Sequence, residues 1–293
     1  MRERVYTFGP DEALVGVVTE PAPGAERVGA PGVILTNIGM NHRVGPFRLN
    51  VELARALAAD GYTVLRFDLS GRGDSEARKD SRSDTERAVA DMREAMDLLQ
   101  KKRRLERFAL VGLCSGVDSV HGASVQDPRV VGVTWLDGYG YRTPGYQLRW
   151  YTLRFLEPAA WRLFMDKQLR RVGLGRAKAP REVQEQPAVF SREYPPPAQL
   201  ARDVETLVER GTRLLILYTG GARTEYLYRD QFFDMLGLHR LRSRIEVELW
   251  RDADHLFSSR ALRAQLHARL RSWMAGFPAQ AASAAPPARS SGA

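Results

Sequence analysis

The chain has 293 residues, 44% of them hydrophobic, enough for a substantial buried core in one large domain with or without an insertion. No apolar run reaches the ~18–20 residues needed to cross a bilayer, and its single cysteine excludes an intramolecular disulfide. The net charge of +9 is local: residues 1–141 sum to −1 (19 Lys/Arg, 20 Asp/Glu), residues 142–181 to +8 (10 against 2) and residues 182–293 to +2 (15 against 13), which argues against a generally basic nucleic-acid-binding domain.

In chain order, residues 4–8 and 14–19 read as two short strands, an antiparallel pair, followed by a Pro/Gly/Ala loop over 21–31. Residues 32–38 read as a buried strand, largely apolar as parallel strands are. Residues 50–60 predict a helix, with Val51, Leu53, Leu57 and Ala58 apolar and Gly61 at its end. Strand 62–67 leads into a turn over 68–75, and residues 83–102 form a long amphipathic helix. Strands follow at 108–112 and 130–136. From Gly138 to about Pro197 the strand patterning stops and Tyr, Trp, Arg and Pro dominate, an insertion expected to be helical and to cap the sheet. The rhythm then resumes: helix 198–210, strand 213–218, a helix around 227–236, strand 244–250 and helix 258–274. Strands alternating with helices predict an α/β fold around a mostly parallel sheet. The expected divisions are 1–137 and 198–278 for the core, 138–197 for the cap and 279–293 for an Ala/Ser/Pro-rich disordered tail.

The chemistry concentrates at Gly112-Leu113-Cys114-Ser115-Gly116, a G-x-C-x-G between a strand and a helix-compatible segment. A nucleophile on a sharp turn leaves little room beside it, so the positions two before and two after favour glycine. The turn sets the thiol at a helix N-terminus, where backbone amides and the dipole favour a thiolate or an oxyanion. A lone cysteine is usually a small buried hydrophobe; the flanking glycines argue for a nucleophile instead. Taking Ser115 as the nucleophile would put Leu113 and Val117 at the glycine positions.

With this elbow, the loop Asp68-Leu69-Ser70-Gly71-Arg72-Gly73-Asp74-Ser75 and the late Ala253-Asp254-His255, the chain resembles the α/β-hydrolase superfamily over roughly residues 5 to 275. Members with cysteine in the elbow include dienelactone hydrolases and polyhydroxyalkanoate synthases. The overall likeness is to bacterial hydrolases of the serine-aminopeptidase-like branch. The resemblance implies a helix-flanked sheet with a helical cap and the order nucleophile, acid, histidine. His255, between strand 244–250 and helix 258–274, stands where that family has its histidine; His42, His121, His239 and His267 do not. The usual acid position, after strand 213–218, offers only Glu225, at a spacing unlike the family's G-x-x-D. Asp137, ending strand 130–136, is the alternative location in this fold, and Glu225 is preferred over it. The implied oxyanion hole joins the Ser115 amide to one from the loop after strand 32–38, where Gly39 approaches closely and Met40 is the candidate donor. Asn41, His42 and Arg43 follow as pocket-lining residues or as an ordinary polar loop.

The expected activity is that of an acyl hydrolase or acyltransferase, an esterase or thioesterase type of enzyme working through an S-acyl intermediate. It calls for no cofactor, and the scattered histidines show no metal-ligand spacing. The arginines of 142–181 are either solvated on an amphipathic cap or meet an anionic small-molecule acyl substrate, such as a CoA thioester or one on an acyl carrier protein; contact with a membrane surface ranks lower. A catalytically silent scaffold that binds a ligand or partner is the alternative, and a serine-type peptidase ranks below both. The N-terminus, without the apolar stretch of a signal peptide, and a thiol that must stay reduced lead to a cytoplasmic expectation.

Overall fold

The computed structural model describes residues 1–156, 165 and 194–277. Eight strands form one sheet: β1 (Arg2–Phe8), β2 (Leu14–Glu20), β3 (Gly32–Leu35), β4 (Val64–Phe67), β5 (Phe108–Leu113), β6 (Val130–Leu136), β7 (Arg213–Thr219) and β8 (Ile245–Trp250). Their order is β1-β2-β4-β3-β5-β6-β7-β8, antiparallel at β1–β2 and β2–β4 and parallel elsewhere. β1, at one edge, is exposed over most of its length and carries Arg2, Glu3 and Arg4, charges that discourage pairing with another chain.

The helices are α1 (Leu49–Ala59), α2 (Asp84–Arg103), α3 (Gly116–Gln126), α4 (Pro144–Leu156), α5 (Pro197–Glu209), α6 (Gln231–Leu236) and α7 (Arg260–Ala275). Successive strand side chains point to opposite faces, and β7 divides accordingly. Leu214, Ile216 and Tyr218 pack with Met92 of α2, Val120 of α3 and Val204 of α5. Leu215 and Leu217 pack with Leu53 and Leu57 of α1 and Leu266 and Leu270 of α7. α2 begins at a capping box: the Ser83 side chain accepts from the Glu86 N–H while Glu86 reaches back to the Ser83 N–H at 2.8 Å.

The predicted elements are present with shifted ends. β3 stops at Leu35, because the Asn37 side chain accepts from the Leu69 N–H at 2.6 Å and donates to Asp68 at 2.8 Å, drawing the chain out of the ladder. β4 starts at Val64; Tyr62 instead buries its ring and donates its hydroxyl to the Met274 carbonyl at 2.8 Å. The helix expected around 227–236 is cut to α6, since Gln231 accepts from the Leu227 N–H at 2.9 Å and holds 226–230 in a turn. Of the expected cap, α4 is described and lies over the loop after β7, with Tyr146 donating to the Thr224 carbonyl at 2.6 Å and Arg149 stacked 3.9 Å from the Tyr228 ring centre. Most of the rest of the cap, most of the basic stretch and the 279–293 tail lie outside the described residues. Among the described residues no helix is long and apolar enough to cross a membrane.

Strand order singles out one end of the sheet. β4 lies on one side of β3 and β5 on the other, so the sheet reverses its winding between β3 and β5. In open α/β sheets ligands bind at the carboxyl ends of the strands beside such a reversal. The loop after β3 holds Gly39 and Met40, and the turn after β5 holds Cys114.

Candidate active site

β5 turns into α3 through Cys114, whose φ is 55°. For a residue with a Cβ this conformation costs roughly 1–3 kcal/mol and persists only where the surroundings impose it. The Cys114 N–H donates to the Leu136 carbonyl at 2.9 Å, and its carbonyl accepts from the Val117 N–H at 3.0 Å. Both glycines of the motif have steric causes. A Cβ on Gly112 would sit 2.7 Å from the Gly116 carbonyl oxygen, and one on Gly116 would sit 2.6 Å from the Asn37 carbonyl oxygen. The elbow thus presses against the end of β3, and the Ser115 hydroxyl accepts from the Gly39 N–H at 2.8 Å.

His255 sits in the loop between β8 and α7. That loop is shaped by Asp254, whose carboxylate accepts from the Leu256 N–H and the Ser258 N–H, both at 3.0 Å, and from the Ser258 hydroxyl at 2.8 Å. It is also shaped by glycine: a Cβ on Gly221 would meet the His255 N and Cβ at 2.7 and 2.8 Å. His255 Nδ1 is 2.7 Å from Asp137 Oδ2. The imidazole also hydrogen-bonds the Cys114 side chain, and with Nδ1 committed to Asp137, Nε2 is the nitrogen left for it. The Asp137 carboxylate, followed by the Cys114 sulfur, pushes the His255 pKa up to about 10, against the burial that opposes its charge. At neutral pH the imidazolium is therefore the favoured form.

Asp137 ends β6 with φ 46°. Besides His255 it accepts from the Thr219 N–H and the Thr219 hydroxyl, each at 2.6 Å. Of the two expected carboxylates, Asp137 lies beside His255, while the preferred Glu225 accepts from the Tyr194 hydroxyl at 2.8 Å. The physical reason is the loop after β7. Thr219-Gly220-Gly221 brings a hydroxyl and an N–H to Asp137 and lets the histidine loop lie against its glycines, so a carboxylate from the neighbouring strand fills the place.

Among the described residues neither the Ser115 N–H nor the Met40 N–H has a hydrogen-bond partner. The Gly39 N–H is taken by the Ser115 hydroxyl, so Gly39 is a support for the pair of expected donors and not a donor itself. Its φ of 54° fits glycine, and its carbonyl accepts from Arg72 at 2.9 Å.

Asn41, His42 and Arg43 are directed elsewhere. Asn41 is exposed, with its carbonyl accepting from the Asn37 side chain at 2.7 Å. Arg43 donates its backbone N–H to Asp68 at 2.6 Å and its guanidinium to Asp68 and, at 2.7 Å, to Asp74. His42 is 3.2 Å from Asp74. These bonds tie the loop after β3 to the loop after β4. The ligating atoms of His42, Asp68 and Asp74 lie within 4.8 Å of one another, a spacing a cation could use, but the Arg43 guanidinium already bridges the two carboxylates. The family-like loop has its own logic: Ser75 donates to the Asp68 carbonyl at 2.6 Å, and a Cβ on Gly73, at φ 52°, would collide with the Asp68 carboxylate.

Sequence reasoning missed Thr219, Asp68, Asn37 and Arg72. The D-x-x-G-x-G-x-S spacing was a usable signal for Asp68; a threonine ending a strand carries none.

No family model and no curated protein matches the sequence. Solved structures do. An esterase of Pyrococcus furiosus is similar at 14% identity with a TM-score of 0.56, over 94% of this chain and 91% of that one. A putative α/β hydrolase of Agrobacterium tumefaciens is similar at 14% identity and TM-score 0.55, over 94% and 95%. A putative hydrolase of Agrobacterium vitis is similar at 16% identity and TM-score 0.55, over 93% and 98%. The chain has the α/β-hydrolase fold.

Proposed function

We propose that this chain is a cysteine-dependent acyl hydrolase or acyltransferase acting on esters or thioesters. One observation carries the reading: a cysteine at positive φ beside a histidine whose far nitrogen meets a buried carboxylate at 2.7 Å. A raised histidine pKa suits a resting thiolate–imidazolium pair, because each charge stabilises the other. The esterase among the structural neighbours agrees with carboxyl-ester chemistry.

The Cys114 thiolate attacks the carbonyl carbon, and the carbonyl electron pair moves onto oxygen, where the Ser115 and Met40 N–H groups face the developing charge. The tetrahedral adduct collapses as the His255 imidazolium gives its proton to the departing alcohol or thiol. His255, now neutral, takes a proton from water or another acceptor as that attacks the S-acyl group, and the thiolate is released with the imidazolium restored. Asp137, fixed by Thr219, holds the imidazole in orientation throughout. Esters and thioesters suit this device better than amides, whose amine needs stronger protonation to leave.

Incubation of the protein with activated esters and thioesters, followed by intact-mass measurement, tests the reading. A stoichiometric acyl adduct is expected on the wild type and none on Cys114→Ala, with His255→Ala slow to form it. Alkylation of Cys114 by iodoacetamide at neutral pH is expected to be fast. No adduct and no turnover across the panel, together with an unreactive thiol, would overturn it.

A further inference from the structure

At the loop that carries Met40 lies an open cavity of about 290 Å³, lined by residues of the segment 69–78 and of the first half of α2. Its charged lining consists of Arg72, Arg78, Arg87, Asp84 and Asp91. The two carboxylates are already spent or turned away. Asp91, with 1% of its side chain exposed, accepts from the Ser70 N–H at 2.8 Å, from the Ser70 hydroxyl and from Arg78 Nε at 2.6 Å. Asp84 has 95% of its side chain in solvent. The guanidinium of Arg78 is only half used. Its side chain is 8% exposed, and its Nη2 is shielded from solvent with no hydrogen-bond partner among the described residues. A buried donor left unpaired costs about 1–3 kcal/mol and calls for an explanation.

We propose that this cavity receives an anionic group of the substrate, a carboxylate or a phosphate, with Arg78 as its principal partner. The proposal rests on the reading of Cys114 as nucleophile and names a substrate class for it: short acyl esters or thioesters bearing a negative charge remote from the reacting carbonyl. The placement fits, because Met40 supplies both a cavity wall and the unpartnered N–H beside the elbow, while Arg72 lines the cavity and holds the Gly39 carbonyl at 2.9 Å. Leu69, Ala77 and Ala88 give the remaining wall an aliphatic character suited to a short methylene chain. The volume sets a limit. It lies just under the ~300–1,000 Å³ of typical small-molecule sites, a size suited to a short acid-terminated chain or a phosphate. An arginine fork is the group best matched to such oxyanions.

Calorimetric titration of Cys114→Ala with monomethyl succinate, methyl phosphate and dimethyl succinate tests this without turnover. Cys114→Ala is expected to bind one of the anions at least about tenfold more tightly than the neutral diester. The carboxylate winning points to an acidic acyl chain, the phosphate winning to a phosphorylated substrate. Adding Arg78→Met with Asp91→Asn, which removes both members of the buried pair together, is expected to abolish the preference. Should that variant not fold, Arg87→Met serves in its place and is expected to reduce the preference about threefold. Equal binding of neutral and anionic ligands, or a preference that survives these substitutions in folded protein, overturns the proposal. Selective binding by a wild type that cleaves no ester would sink the nucleophile reading alone; turnover indifferent to substrate charge would sink the anion site alone.

Discussion

Asp137 and Glu225 make the sharpest contrast between neighbouring carboxylates. Asp137 accepts from Thr219 twice and meets His255 at 2.7 Å, whereas Glu225 is engaged by Tyr194. Asp137→Asn is expected to lower kcat/KM on an activated ester by roughly a hundredfold or more, since it withdraws the partner that orients and charges the imidazole. Glu225→Gln should stay within about threefold, a surface-type loss. Steady-state kinetics on the two variants decide between them. The histidine itself carries a pH signature. Its proton is held more tightly in the folded chain, with a pKa near 10 against an ordinary 6.5. The stabilisation it contributes is therefore complete below about pH 6.5 and is lost as pH rises towards 10. Between pH 7 and 10 the wild-type Tm is expected to fall more steeply than that of His255→Gln, and Asp137→Asn, which removes the largest cause of the shift, should lie nearer the histidine variant. Thermal melts across that range, with parallel slopes in all three proteins, would refute the assignment of the raised pKa.

Elements explain why the elbow tolerates so little change. Gly112 and Gly116 each leave room for main chain, at 2.7 and 2.6 Å from the Cβ that alanine would add. Main chain cannot rotate aside, so Gly112→Ala and Gly116→Ala should each cost about 1–3 kcal/mol, as overpacking does. Gly122, further along α3, faces a side chain instead: its added Cβ would lie 2.6 Å from Val89 of α2, a β-branched residue with one preferred helical rotamer, so relief needs a small shift of α2 against α3. Alanine there gains up to about 1 kcal/mol of helix propensity, which offsets part of that clash, so Gly122→Ala should cost less than either elbow variant. Urea unfolding of the three variants measures the difference. The glycine spacing was legible in the sequence because its cause is local: strand, turn and helix lie within ten residues. The shortening of β3 was not, because it depends on Asn37 finding Leu69 and Asp68 across thirty residues of chain.

At the scale of the whole molecule, the carboxyl ends of β3 and β4 are locked by one buried charge. Asp68 is wholly buried and receives the Arg43 N–H and guanidinium, Asn37 and the Asp74 N–H. Removing it as Asp68→Ala leaves Arg43, 11% exposed, with Asp74 as its ion-pair partner among the described residues, and should cost about 3–5 kcal/mol. Chemical denaturation gives the stability loss. An accompanying drop in kcat/KM is expected, because the same network positions Gly39 and Met40. Strand and helix alternation, the G-x-C-x-G elbow and the place of His255 late in the chain were all determined by the sequence itself, since periodicity, steric room and order along the chain are properties of short segments. Which carboxylate meets that histidine was decided only by the tertiary structure. Asp137 and His255 stand 118 positions apart, and they meet because β7, lying between β6 and β8, ends in Thr219 and two glycines. A hydrogen bond between loops depends on lateral strand order and on what the intervening loop leaves open, and neither is written in the neighbourhood of either residue.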